Sequence, residues 1–137
     1  MGYALAEACI NAGAKTTLIS GPVSCEPPSG ATVINVETTQ EMFDASMATA
    51  ATADIFIGAA AVVDFKPATV SDWKIKRSGV DAMDLSLVPN PDIIASVAGG
   101  EARPQLVVGF AAETHDCLLY TSPSPRDNTL SRMPSSA

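Results

Sequence analysis

Residues Asp54 to Gly58, DIFIG, place three large apolar side chains in direct succession. A strand with one face in water alternates apolar and polar residues. A run without alternation is covered on both faces, as central strands of parallel sheets are. Parallel neighbours cannot be joined by a tight hairpin and need a crossover, usually a helix. The rest of the chain should therefore alternate strand and helix, and it does. Tyr3 to Asn11, YALAEACIN, has Ala, Leu and Ile at helical spacing, closed by Ala12-Gly13-Ala14. Lys15 to Ser20, KTTLIS, is β-branched and reads as a strand, broken by Gly21-Pro22. A Pro-rich loop from Cys25 to Gly30 leads to a second strand, Thr32 to Val36.

The next helix announces itself. Thr38 is placed to cap it and Glu41, three residues on, completes a capping box, with the helix running to about Ala51. After DIFIG comes a polar connection, then a candidate strand over Met83 to Val88. Asn90-Pro91-Asp92 reads as a helix start, with Asn90 as cap, Pro91 at the first helical position and Asp92 in the first turn. That helix should reach Ala98 and stop at Gly99-Gly100, and Gln105 to Phe110 should form another buried strand. The expected fold class is α/β: a Rossmann-like parallel sheet with helices on both faces and right-handed crossovers, incomplete at both termini. The pattern opens on a helix, where a doubly wound sheet would have a strand and a glycine-rich turn before it, so an N-terminal truncation is expected.

Composition narrows the function. The 137 residues are 47% apolar and 17% charged, enough to pack a core, and the net charge of −7 argues against nucleic-acid binding by bulk electrostatics. Lys74, Lys76 and Arg77 form a small basic cluster against that background. No apolar run approaches the roughly 18 residues of a membrane span, and no signal peptide is visible. Cys9, Cys25 and Cys117 have no repeated spacing, which argues against disulfides or a zinc site and fits a reducing cytoplasm. His115, the only histidine, anchors neither a metal site nor a catalytic triad alone, and reads as an exposed loop residue. No metal ligands are expected from the protein.

From Cys117 the text changes character. CLLYTSPSPRDNTLSRMPSSA loses all apolar periodicity. CLLYTSPSPRD matches a transposase-type sequencing adapter translated in one frame, SRMPSSA matches its outer part, and Asn128-Thr129-Leu130 fill the space of a sample index. Residues 117–137 are therefore expected to be a non-native, disordered tail, and residues 1–116 the domain proper. Setting aside Arg126, Arg132 and Asp127 leaves the body one unit more acidic.

In open parallel sheets, ligands bind beyond the carboxyl ends of the strands. Gly21-Pro22, Gly58 to Asp64 and Gly109 to Glu113 leave strands at that edge, and the turn at Asn90-Pro91-Asp92 offers a helix start nearby. Gly58, Ala59, Ala60 and Ala61 let a flat ligand approach the backbone, although small residues also serve simply to pack against a helix. Asp64 could accept hydrogen bonds from a ribose or base, hold a metal ion, or only cap a turn. Lys74 and Lys76 could meet phosphates. A nicotinamide-dependent oxidoreductase is the rival reading, weakened because the strand that would be the second of such a fold ends Leu18-Ile19-Ser20-Gly21 without the ribose-binding acid; no GxGxxG is present, but its position would fall in the segment expected before Met1.

Five segments, MGYALAEACINAGAKTTLISGPV, DIFIGAAAVVDFKP, KIKR, NPDII and VVGFAAET, stand in an order and spacing that resembles phosphopantothenate–cysteine ligase, across residues 1–116. The chain looks like the ligase half of the bifunctional bacterial coenzyme A biosynthesis flavoprotein. The resemblance implies that the carboxylate of 4′-phosphopantothenate attacks CTP, releasing pyrophosphate. The acyl-cytidylate then yields its acyl group to the amine of cysteine, with loss of CMP. It implies Mg²⁺, a homodimer and, in the full protein, fusion to a decarboxylase that would carry FMN. It makes Lys74 the catalytic residue, contacting the phosphates, and Asp64 a nucleotide-binding residue. Gly58 and Ala60 would lie against the nucleotide, Pro91, Asp92, Ile93 and Ile94 would supply the turn beside it, and Phe110 would flank the base. The family's glycine- and serine-rich segment would precede Met1, and its lysine-rich stretch would follow Asp116. The chain as written is expected to be inactive or nearly so.

Overall fold

The computed structural model describes residues 1–75 and 83–110. The element order is α1 (Gly2–Asn11), β1 (Thr17–Ser20), β2 (Thr32–Asn35), α2 (Thr39–Ala50), β3 (Ile55–Gly58), β4 (Phe65–Pro67), β5 (Leu87–Pro89), α3 (Ile93–Gly99) and β6 (Leu106–Gly109). The alternation of helix and parallel strand is as expected. The tail from Cys117, His115, Lys76 and Arg77 lie outside the described residues.

Local chemistry explains the helix ends. At the end of α1 the Gly13 N–H donates to Ile10 O (2.8 Å) and the Ala14 N–H to Cys9 O (3.0 Å). These two bonds close a Schellman turn, and Gly13 takes the positive φ, +87°, that such a turn requires. At the start of α2 the Glu41 N–H donates to Thr38 Oγ1 (3.1 Å). Glu41 Oε2 in return accepts from the N–H groups of Thr38 (3.0 Å) and Glu37 (2.7 Å). The capping box is complete. Those two backbone donors, Glu37 first, hold the Glu41 carboxyl below its ordinary range by stabilising its charged form.

The parallel strands form two separate pairs. β1 pairs with β2, Thr17 opposite Thr32, and β3 pairs with β6, Ile55 opposite Leu106 and Gly58 opposite Gly109. Among the described residues no ladder joins β1 to β3. The first turn of α1 lies against the carboxyl ends of both strands. The Tyr3 hydroxyl is 2.8 Å from Ser20 Oγ, and a methyl added to Gly2 would stand 3.7 Å from Ala59 Cβ. Ile55 and Leu106, read from sequence as covered, are more than half exposed at the amino ends of their strands. A strand paired on one edge only has less neighbouring surface to cover it.

The core sits where α2 and α3 meet the strands. Ala50, Ile93 and Val97 are buried together, with Met42, Phe43, Met47, Phe56, Val62 and Val107 packed around them. Four expectations are corrected. The polar connection after β3 contains a strand, β4, which pairs antiparallel with β5, Phe65 opposite Pro89. The strand expected over Met83 to Val88 is confined to Leu87–Pro89. β4 and β5 form a ribbon that leaves the body after β3 and returns before α3. The cap of α3 is Asp92, not Asn90: Asp92 Oδ1 accepts from the Ala95 N–H at 2.9 Å. Asn90 is committed elsewhere, extending the ribbon by one step through its N–H to Asp64 O at 2.7 Å. Pro91 therefore precedes the helix rather than opening it.

Candidate functional site

The carboxyl ends of β3 and β6 set the site. Gly58 and Gly109 end their strands side by side, and the Phe110 N–H donates to Gly58 O at 3.3 Å. Both glycines are explained by one neighbour. A Cβ at Gly58 would stand 2.9 Å from Ile94 Cδ1 and Cγ1, and one at Gly109 3.0 Å from Ile94 Cδ1. Contacts under 3.0 Å force something to shift, so a methyl at Gly58 would displace Ile94. The two glycines form a notch, and Ile94, on the first turn of α3, fills it. The packing interpretation of Gly58 thus holds on its α3-facing side. Sequence reasoning singled out Gly58 as a site residue and named Gly109 only as the start of a segment leaving its strand. The signal was present: both apolar runs end in glycine.

Six other expected site residues, Ala60, Asp64, Pro91, Asp92, Ile93 and Phe110, lie on the segments that meet at this edge. Ala60 is exposed in the segment leaving β3. Asp64, also exposed, closes the ribbon's base opposite Asn90. Ile93 is buried in the core, and so serves packing, while Ile94 fills the notch. Pro91 is half-buried and Asp92 exposed, with its carboxylate turned back onto α3. A carboxylate at a helix start satisfies its donors and cancels the positive end of the dipole. The turn is thereby a poorer seat for a phosphate than the sequence suggested, and a better one for a neutral sugar or base. Phe110, whose N–H donates to Gly58 O, is 50% exposed. Lys74 lies farther along the chain, beyond β4, and is exposed.

Sequence reasoning also passed over Asn90 except as a helix cap. Its backbone N–H reaches Asp64 O, and its side-chain Nδ2 donates to Val63 O at 2.9 Å, 27 residues away. At the first strand pair, Ser20 is buried, and its hydroxyl donates to Gly21 O at 3.0 Å while meeting Tyr3. That bond closes the other strand end where Gly21-Pro22 begins. Among the described residues no three His, Cys, Asp or Glu side chains converge on a metal-sized site. No described helix is long and apolar enough to cross a membrane.

Comparison with known proteins follows this geometry. Residues 1–128 match the family model described as the DNA/pantothenate metabolism flavoprotein C-terminal domain. The chain is 50% identical over 121 residues to the coenzyme A biosynthesis bifunctional protein CoaBC of Vibrio vulnificus, covering 88% of this chain and 30% of that protein. It is 44% identical over 122 residues to the Escherichia coli K12 protein of the same name, again covering 88% and 30%. A crystal structure of the C-terminal domain of CoaBC superimposes with a TM-score of 0.71 at 34% identity, over 87% of this chain and 54% of that one. The chain thus spans under a third of the length of the bifunctional relatives. With a Rossmann-like α/β body and a match across nearly all its length, the chain belongs to the DNA/pantothenate metabolism flavoprotein C-terminal domain family.

Proposed function

We propose that this domain forms the amide bond between 4′-phosphopantothenate and cysteine at the expense of CTP, in coenzyme A biosynthesis. One observation carries the reading. The segments expected to hold the nucleotide meet at the ends of β3 and β6: Phe110 is bonded to Gly58, Ile94 is seated on both glycines, and Asp64 is bonded to the residue before Pro91. The base lies against Phe110 and the backbone from Gly58 to Ala60. Asp64 and the Pro91–Ile94 turn take the neutral donors of base and ribose. Lys74, in the connection beyond β4, meets the phosphates.

The chemistry requires this division. The first step brings a carboxylate onto a triphosphate, two anions, and a cation must offset their repulsion and the charge gathering on the phosphate oxygens. Lys74 supplies a mobile point charge for that purpose. Holding the two reactants together removes much of the entropic barrier. Among the described residues no donor set builds a protein cage for Mg²⁺. They fit an ion that arrives on the triphosphate, since Mg²⁺ typically keeps its waters and takes only one or two carboxylates besides substrate phosphates. When bound, Mg²⁺ supplies further neutralisation of the phosphates. FMN would belong to the decarboxylase domain of a fused protein. The enzyme is cytoplasmic and works as a homodimer. The exposed apolar ribbon, with Phe65, Leu87 and Trp73 facing solvent, supports the second copy. Residues 117–137 are adapter-derived and outside the enzyme. A long read of the source DNA across Asp116 checks this against the family match, which runs on to residue 128.

The test grafts residues 1–110 in place of the matching segment of the Vibrio vulnificus relative. Pyrophosphate release should require CTP, phosphopantothenate and cysteine together. Lys74→Ala should lower kcat/KM for CTP about a hundredfold, within the range for losing one transition-state charge contact. Binding of NAD(P) with no CTP-dependent turnover would instead return the oxidoreductase reading.

A further inference from the structure

Asn90 ties together two segments that are distant in sequence. Its backbone N–H donates to Asp64 O (2.7 Å) and its side-chain Nδ2 to Val63 O (2.9 Å). One residue thus closes the antiparallel ribbon at its base and then reaches one residue further, onto the segment that leads to Asp64. The amide's orientation is fixed, because turning it over would set Oδ1 against the Val63 carbonyl oxygen. Oδ1 itself is buried and has no hydrogen-bond partner among the described residues. A side chain kept only to fill space would not bury a lone acceptor, since an apolar residue does so without that loss. What this position retains is the donor to Val63.

The other end of the Asn90 turn is also held. Pro91 restricts the backbone of Asn90 to extended conformations, Asp92 caps α3, and Ile94 sits in the notch formed by Gly58 and Gly109. The turn from Asn90 to Ile94 is therefore pinned to the ends of β3 and β6 on one side and to the carbonyls of Val63 and Asp64 on the other. Between those two anchors run Ala59 to Val63, a segment that has no strand or helix of its own. Nothing else among the described hydrogen bonds holds its far end to the body.

We infer that Asn90 is a positioning residue for Asp64: by holding the Val63 and Asp64 carbonyls, it fixes the backbone that carries the Asp64 carboxylate beside the turn seated on the ends of β3 and β6. The inference deepens the proposed nucleotide role of Asp64 and rests on it for its functional half. Its structural half stands on hydrogen bonding alone.

Amide exchange on the full chain tests the structural half. Asn90→Asp, which keeps the size but removes the donor, and Asn90→Ala should each speed exchange of the residue 90 amide about tenfold, leaving the Ser96 amide of α3 unchanged. Unchanged exchange at residue 90 in both variants overturns the clamp. The functional half is read in the graft with the Vibrio vulnificus relative. Asn90→Ala should raise KM for CTP about tenfold with kcat within about threefold, and adding it to Asp64→Asn should cost nothing more, because both act through one carboxylate. Additive losses would make Asn90 a structural residue and overturn its positioning role. If Asp64→Asn leaves KM for CTP unchanged while exchange at residue 90 still rises, the nucleotide role of Asp64 falls and the clamp stands.

Discussion

In the body of the domain, apolar side chains meet one another; in the ribbon they meet solvent. Val97 is 1% exposed and Ile93 is buried beside it, whereas Phe65, Leu87 and Val88 of β4 and β5 are open, and Trp73 is 84% exposed. Both regions use short strands. The parallel strands gain their stability from helices laid against them, as α2 packs on β1 and α3 on β6. The ribbon has two three-residue strands and no helix over it, and an isolated two-stranded ribbon is marginal in water. It keeps its register through its base at Asp64 and Asn90 and, in the proposed dimer, through a second copy. Folding energy is thus concentrated in the body, and in the proposed dimer the exposed apolar surface of the ribbon serves association.

That contrast is broken most directly in the core. Ile93→Ala should destabilise the chain by about 2–5 kcal/mol, the cost of a large-to-small change at a buried site. Urea unfolding of the monomer measures it. The matching truncation in the ribbon, Phe65→Ala, should fall well below that. Equal losses at the two positions would mean that the ribbon carries core stability and that the division just drawn is wrong.

A smaller effect sharpens the body side. Thr38→Ala removes the acceptor of the Glu41 N–H and should cost about 1 kcal/mol. The same cap has a pH signature. The Glu41 carboxyl titrates below its ordinary range because the Glu37 and Thr38 N–H groups donate to it. A depressed folded-state value means a contribution that is present above the unfolded value and lost as pH falls through the folded one. Glu41→Gln should therefore flatten the acid side of the stability curve, below the ordinary glutamate range, and leave its alkaline side unchanged. Thermal melts of both proteins across acid pH decide it; parallel acid limbs would remove Glu41 from the account.

How much of this was legible in the sequence depends on how far apart the interacting residues lie. Thr38 and Glu41 are three residues apart, and their box could be read directly. The alternation of DIFIG and QLVVGF with helical stretches fixed the α/β class and brought Gly58, Asp64, Ile94 and Phe110 to one edge. The cap of α3 was misread because Asn90 and Asp92 are comparable caps, and the choice is made by Asp64, which takes the Asn90 N–H. β4 was missed because Phe65-Lys66-Pro67 is too short and polar to show a period, and its partner comes twenty residues later. The notch at Gly58 and Gly109 depends on Ile94, a contact that no local pattern encodes. The separation of the strands into two pairs is likewise a property of long-range hydrogen bonding, invisible in strands that each look central.

The smallest change in stability should come from the ribbon, and there it separates folding from association. Trp73 makes its Ser71 contact through backbone atoms, its N–H donating to Ser71 Oγ and its carbonyl accepting from the same hydroxyl, so the indole is not needed for the turn. Trp73→Ser should change monomer stability by no more than about 0.5 kcal/mol, as at other surface sites. Large aromatic side chains left in water are frequent anchors of interfaces, and truncating one that matters costs about 2 kcal/mol or more of binding. The dimer of the grafted enzyme should therefore weaken at least about thirtyfold by sedimentation while the melting curve of the monomer stays in place. A dimer that survives Trp73→Ser would move the interface off this part of the ribbon, and a large fall in monomer stability would place Trp73 with Ile93 and Val97, among residues that hold the body together.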